Sequence, residues 1–173
     1  MIIPDRAAVL QKIVQNLRTV DLQAQPCGID LTLKRMLVWK SSGVVDFDNS
    51  CRKIAQTDAL PFQPDATVEK PSDIGFVDLP LGSYLVEFNE TVDMPLDMMG
   101  QIFVRSSLFR SGAMLNAGVM DCGYKGTVGA LLQVVNPHGL RLWKDARLAQ
   151  LVFHQMSEAT EGYKGIYQGQ EVM

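Results

Sequence analysis

Apolar positions along the chain change period once, early, and then keep the new one. From Asp5 to Arg18 they recur at helical spacing, with Leu10, Ile13, Val14 and Leu17 on one stripe and Asp5 placed as N-cap. The spacing predicts an amphipathic helix over these residues. From Gly28 the period is two: Ile29, Leu31 and Leu33 alternate with Asp30, Thr32 and Lys34, the pattern of a half-buried strand. Residues 41–75 are polar, Pro-containing and aperiodic, and read as a long surface excursion with short strands of its own. Short strand-like runs punctuated by turns follow: SYLVEFNETVDM, GQIFVRS, GAMLNAGVMD, GTVGALLQVVN, GLRLW and ARLAQLVFHQM. This rhythm predicts an all-β barrel or sandwich in one domain, 1–173. The tail EGYKGIYQGQEVM has no core-forming period.

Composition narrows the class. An apolar fraction of 47% and a charged fraction of 20% suit a globular domain, and 173 residues suffice to bury a core. A net charge of −3 gives no footprint for nucleic acid or an anionic membrane. No apolar run approaches the roughly 20 residues of a membrane span. MIIPDRAAVLQK lacks the basic-then-apolar layout of a signal peptide, so a cytoplasmic protein is expected. Cys27, Cys51 and Cys122 are odd in number and widely spaced, which argues against a disulfide framework or a structural zinc site. His138 and His154 supply no HxE or HExxH pattern, which excludes zinc-dependent deamination of a base.

Polar groups then gather at four places where a β scaffold exposes strand ends. They are PCGIDLTL with Asp30, VRSSLFRSG, NAGVMDCGYKG, and KDARLAQ with Arg147 and Gln150. In VRSSLFRSG, Arg105, Ser106, Ser107 and Arg110 make a good anion site, because guanidinium offers a rigid fork of donors to phosphate. The same residues also suit a solvated strand end whose arginines pair with acids elsewhere. No GxxxxGK[ST] loop is present, so a phosphate site here is not a P-loop. In GVMDCGYKG, Asp121 sits among glycines, either as an ordinary turn residue or as a base mounted at the mouth of a pocket.

The segments GIDL, RSSLFR, NAGVMDCGYKG, ARLAQLVF and YKGIYQGQ, in that order, resemble the dUTPase and dCTP deaminase superfamily over nearly the whole chain. The resemblance implies a distorted, jelly-roll-like β-barrel with an N-terminal helix, a homotrimer, and active sites built at subunit interfaces. The double serine and following arginine of RSSLFR, and the YQGQ tail, place the layout nearer the deaminase-like group. Metal-free deamination in this superfamily uses a glutamate ten residues past the turn aspartate, which is Leu131 here. Residues 122–144 contain no Asp or Glu at all, and Gln133, the closest polar substitute, carries an amide that is no base at neutral pH. A dCTP deaminase and a bifunctional enzyme both lose their key group. A nucleotide-binding regulator without catalysis would have no use for a base.

The resemblance therefore implies a dUTP diphosphatase, in which Asp121 activates water for attack on the α-phosphate and Mg²⁺ arrives on the triphosphate. Arg105, Ser106, Ser107 and Arg110 would hold phosphates. Tyr124 would lie under the deoxyribose and leave no room for a 2′-hydroxyl, and the main chain of Asn116, Ala117 and Gly118 would read the base. Residues from about 160 to 173 would form a mobile lid carrying Tyr167, Gln170 and Lys164, with Ile166 departing from the lysine of some deaminases. Gln150 would position water or support the site. Asp30, inside a strand, reads as a structural or supporting carboxylate. Cys122 and His154 read as packing residues, and methionines such as Met98 and Met99 as core and interface filler.

Overall fold

The computed structural model describes residues 1–64 and 75–170. The chain opens with β1 (Ile2–Ile3), α1 (Asp5–Leu10), β2 (Val14–Gln15), α2 (Val20–Gln23) and β3 (Ala24–Gln25). The long β4 (Gly28–Trp39) follows, then β5 (Thr57–Leu60), β6 (Gln63–Pro64) and β7 (Gly75–Leu79). Next come β8 (Gly82–Asp93), β9 (Met98–Val104), α3 (Ser106–Arg110) and β10 (Ala113–Asn116). The series ends with β11 (Lys125–Val134), β12 (Leu140–Trp143) and β13 (Arg147–Gln155).

The main sheet runs β1–β13–β4–β8–β11–β10, with β9 on β13, β2 on β8, and β3 and β5 on β4. Strands β12, β7 and β6 form a smaller sheet. One bridge turns the main sheet into a closed figure. Gly100 on β9 and Met120, just beyond β10, exchange both backbone hydrogen bonds, at 2.9 and 3.0 Å. Because β9 and β10 lie at opposite ends of the strand path, this bridge curls the sheet back on itself into a distorted barrel. The expected all-β fold is present. Ile29, Leu31, Leu33, Phe88, Leu132, Leu151 and Phe153 fill its interior and are inaccessible to solvent. Each such side chain contributes about 1.5–3 kcal/mol by leaving water.

Two expectations fail for physical reasons. The helix predicted over Asp5–Arg18 stops at Leu10, and its N-cap is Pro4 with Asp5 in the first turn. Lys12 takes a positive φ of 54°, and Val14 and Gln15 then pair with Val92 and Thr91 of β8. Ile13 and Val14 are buried whereas Leu10 is exposed, so capturing a sheet edge outweighs continuing the stripe.

The strand predicted as half-buried is buried on both faces at its start. Asp30 and Thr32 are exposed by only 1% and 2%. Over them, Gln23 Nε2 donates to Asp30 O (2.9 Å) and to Glu90 Oε1 (2.7 Å). Glu90 also accepts from Thr32 N–H (2.8 Å) and from the Thr32 hydroxyl (2.6 Å). Burial pushes the Glu90 carboxyl above its ordinary range, and these hydrogen bonds partly offset the rise.

The excursion carries the short strands expected of it: Val44 and Lys53 bridge, and β5 continues the sheet along β4. Its residues 65–74, and residues 171–173 of the expected lid, lie outside the described residues. VRSSLFRSG is not a plain strand end: Ser106–Arg110 wind into the short helix α3.

Candidate active site

The segment between β10 and β11 is pinned on two sides. Met120 is bridged to Gly100; Gly123 N–H donates to Met94 O (3.0 Å), and Met94 N–H donates to Tyr124 O (2.9 Å). Tyr124 N–H closes the turn onto Asp121 O at 3.2 Å. Gly123 has φ +71°, and a Cβ there would come within 2.9 Å of Gly162 Cα, so both the turn and the tail's close approach require glycine. Fixed in this way, Asp121 is exposed at the rim of a cavity of about 420 Å³, an ordinary size for a small-molecule site. Among the described residues no hydrogen-bond or ion-pair partner meets its carboxylate.

The cavity walls are mostly apolar. Leu85, Ile102, Met120 and Val128 line it together with Ala117, Gly118 and Tyr124. Among the described residues, Asp121 is the only carboxylate that lines it. A register shift in β11 between Thr127 and Gly129 brings Thr127, Val128 and Gly129 all to the wall, where a regular strand would alternate. The Tyr124 hydroxyl donates to Thr127 O at 2.7 Å, and its ring meets Tyr163 edge-on at 5.5 Å. Burial pushes the Tyr124 hydroxyl above its usual range, which further favours its protonated, donating form.

The C-terminal segment packs alongside. Tyr163 N–H donates to Cys122 O, Gly169 N–H to Lys125 O and Thr127 N–H to Gln170 O, at 2.8, 2.8 and 3.1 Å. The Gln168 amide spans Lys125 N and Gly123 O, both at 2.9 Å. Gly126, at φ +150°, leaves room for the Tyr124 hydroxyl and the Gln170 carbonyl, which a Cβ would meet at 2.9 and 3.0 Å. Tyr163, Tyr167 and Gln170 all line the cavity. Lys164 does not; it pairs with exposed Glu161.

The other expected residues form a separate group. Arg105 precedes α3, with Nε 3.1 Å from Asp30 Oδ2 and Nη1 donating to Arg147 O at 3.2 Å. Arg147 Nη1 also meets Asp30 Oδ2, at 3.3 Å, and donates to Leu22 O. Burial pushes the Asp30 carboxyl up, and the Arg105 and Arg147 guanidiniums pull it back toward the charged form. Asp30 is thus the buried anchor of two arginines. Ser106, Ser107 and Arg110 are exposed, with Arg110 near the Phe109 ring. Gln150, half-buried on β13, stands between Asp30 and Phe103 in the sheet. None of these residues lines the cavity, and neither do Asn116 or Leu131, which pair with each other across β10 and β11.

The structure therefore brings together Asp121, Ala117, Gly118, Tyr124, Tyr167 and Gln170, and holds Arg105, Ser106, Ser107, Arg110, Asp30 and Gln150 apart from them in the same chain. Sequence reading missed Thr127, Val128, Gly129, Tyr163 and Ile54 as lining residues. The two glycines of GTVG were the one available hint of a bulge; Ile54 had none. Among the described residues no cluster of three or more His, Cys, Asp or Glu could hold a metal, and no helix is long and apolar enough to cross a membrane.

A curled β-barrel with this turn at its seam is the architecture of a nucleotide-processing family: residues 3–156 match the profile of the dCTP deaminase-like family, and the chain belongs to it. In particular, it is 40% identical over 159 residues to the probable deoxyuridine 5′-triphosphate nucleotidohydrolase of Methanosarcina mazei, covering 91% of this chain and 88% of that protein. It is 36% identical over 147 residues to the deoxyuridine 5′-triphosphate nucleotidohydrolase of Methanocaldococcus jannaschii, covering 85% and 88%. Among solved structures, the 2′-deoxycytidine 5′-triphosphate deaminase from Agrobacterium tumefaciens matches 88% of this chain with a TM-score of 0.60 at 20% identity. The match spans 46% of that deaminase chain and supports the fold alone.

Proposed function

We propose that the chain is a dUTP diphosphatase that hydrolyses dUTP to dUMP and pyrophosphate. The observation that carries this reading is the charge inventory of the cavity. Asp121 is the only carboxylate among the described residues that line it, and position 131, where metal-free deamination needs a glutamate, is leucine. The names of the archaeal relatives support the same reaction.

Asp121 accepts a proton from water as the water oxygen bonds to the α-phosphorus. The bond from that phosphorus to the oxygen bridging to the β-phosphate breaks, and its electron pair leaves with pyrophosphate. The free, exposed carboxylate of Asp121 suits Mg²⁺ that arrives on the triphosphate and keeps several waters. When bound, Mg²⁺ offsets phosphate charge and holds the chain of phosphates in one conformation. The main chain of Ala117 and Gly118, which continues from Asn116 at the end of β10, reads the uracil edge. A Cβ at Gly118 would meet nothing within 4 Å among the described residues beyond its chain neighbours, which leaves space there for a base. Tyr124, locked through its hydroxyl to Thr127, is the platform under the deoxyribose.

Arg105, Ser106, Ser107 and Arg110 hold phosphates in the site of a neighbouring subunit of a homotrimer. Their position outside their own chain's cavity supports this division. Asp30 orients Arg105 from behind, and Gln150 on the next strand positions water. The tail from about residue 160 closes over the nucleotide through Tyr167 and Gln170, and Lys164 exchanges Glu161 for the γ-phosphate. A nucleotide-pool substrate suits the cytoplasmic location expected from the sequence.

The test is to incubate the protein with dUTP and with dCTP in the presence of Mg²⁺, and to measure pyrophosphate and ammonia separately. Pyrophosphate from dUTP without ammonia from dCTP is the expected result. Ammonia from dCTP would overturn the diphosphatase-only reading, and tight dUTP binding without product would make the protein a regulator.

A further inference from the structure

The excursion after β4 is a built arm, and it ends on the tail. At its base, Lys40 N–H donates to Gln56 O and Gln56 N–H to the Ser41 hydroxyl, both at 2.8 Å. Halfway along, Val44 and Lys53 exchange two backbone hydrogen bonds, at 2.8 and 3.0 Å. At the tip, Asp46 accepts from Cys51 N–H at 2.6 Å and Asp48 from Ser50 N–H at 3.1 Å. The returning limb is therefore fixed in direction. Ile54 on that limb lines the cavity, and the Arg52 guanidinium carbon lies 6.0 Å from the centre of the Tyr167 ring. Arg52 is half-buried, and among the described residues no carboxylate pairs with it. Tyr167 is 41% exposed and stands between this limb and the tail's hydrogen bonds to β11.

We propose that the arm of residues 41–56 is a clasp for the C-terminal tail, and that Arg52 is its positioning residue, holding Tyr167 across the cavity and thereby setting nucleotide affinity. A guanidinium over an aromatic face is attracted by the ring's quadrupole, a contact suited to a reversible hold. Ile54 supplies the apolar side of the same grip. Arg52 acts through Tyr167 and not on the phosphates.

The consequence for affinity rests on the dUTP diphosphatase reading; the clasp itself does not, and two measurements separate them. The first is amide hydrogen exchange in nucleotide-free protein, read at Gly169 and Thr127, whose N–H groups tie the tail to β11. Arg52→Ala should raise exchange there about two- to fivefold, and Arg52→Lys should retain part of the protection. Unchanged exchange in Arg52→Ala overturns the clasp, whatever the substrate.

The second is steady-state hydrolysis of dUTP. Arg52→Ala should raise KM by about the same two- to fivefold with kcat within about twofold, and should add nothing further in a Tyr167→Ala background. An undiminished effect in that background would mean that Arg52 touches the phosphates directly, and would overturn its role through Tyr167. Absence of any dUTP hydrolysis by the unmodified protein would sink the diphosphatase reading and leave the exchange result standing.

Discussion

The turn at 117–124 and the short helix at 106–110 both sit at strand ends and both concentrate polar groups, yet the fold treats them oppositely. In the turn, the backbone is tied on two sides by Gly100 and Met94, while among the described residues nothing pairs with the carboxylate of Asp121 beside the cavity. At the helix, the guanidinium of Arg105 is fixed by buried Asp30, and exposed Ser106, Ser107 and Arg110 lie outside the chain's own cavity lining. A charge left free inside a pocket is ready to act on whatever enters. A charge braced from behind and turned outward is ready to be presented elsewhere. On the proposed function, the two meet in one site only across two copies of the chain.

The most damaging way to break the comparison is Asp121→Asn. Turnover should fall by about two to four orders of magnitude, while a non-hydrolysable dUTP analogue binds nearly as before. Near-normal turnover would remove Asp121 as the base. Arg105→Ala comes next, and should lower kcat/KM by about ten- to a hundredfold through loss of charge-assisted hydrogen bonds. Co-refolding Arg105→Ala with Asp121→Asn subunits should restore activity above either parent, because one intact site can form between different chains. Failure to recover any activity would return both regions to a single chain.

Asp30→Ala should destabilise the fold by about 3 kcal/mol in urea unfolding, toward the lower end for a broken buried pair because both arginines are partly solvated. A stability unchanged by the substitution would show that Arg105 is held by something else.

The smallest effect is a slope. Burial raises the Glu90 and Asp30 carboxyls above their unfolded values, so the folded chain keeps protons that the unfolded chain has released. That contribution is complete below the unfolded carboxyl range and declines as pH rises through the raised values. Glu90→Gln should flatten the decline, whose limit is about 1.4 kcal/mol per pH unit per group. Identical pH profiles of urea stability in the two proteins would contradict the placement of Glu90.

How much of this was legible follows from the range of the forces involved. Local alternation and turn residues announced nearly every long strand, because period and punctuation are properties of neighbouring residues. The end of α1 was not legible, since Val14 leaves the helix to pair with Val92, 78 positions away. Asp30 and Thr32 looked solvent-facing because their cover, Gln23 and Glu90, comes from a different element and a distant strand. In the site, Asp121 and Tyr124 could be recognised from one short motif. The cavity wall at Leu85, Ile102 and Ile54 could not, because three separate segments meet there only after the sheet has curled.

The bridge between Gly100 and Met120 has one more consequence. The same pair of hydrogen bonds is the seam of the barrel and the mount of the turn that carries Asp121. If Asp121 is the base proposed above, it reports on closure: whatever parts β9 from that turn should extinguish hydrolysis while most of the sheet is still standing. On this reading catalysis is the most sensitive gauge of whether the barrel is shut.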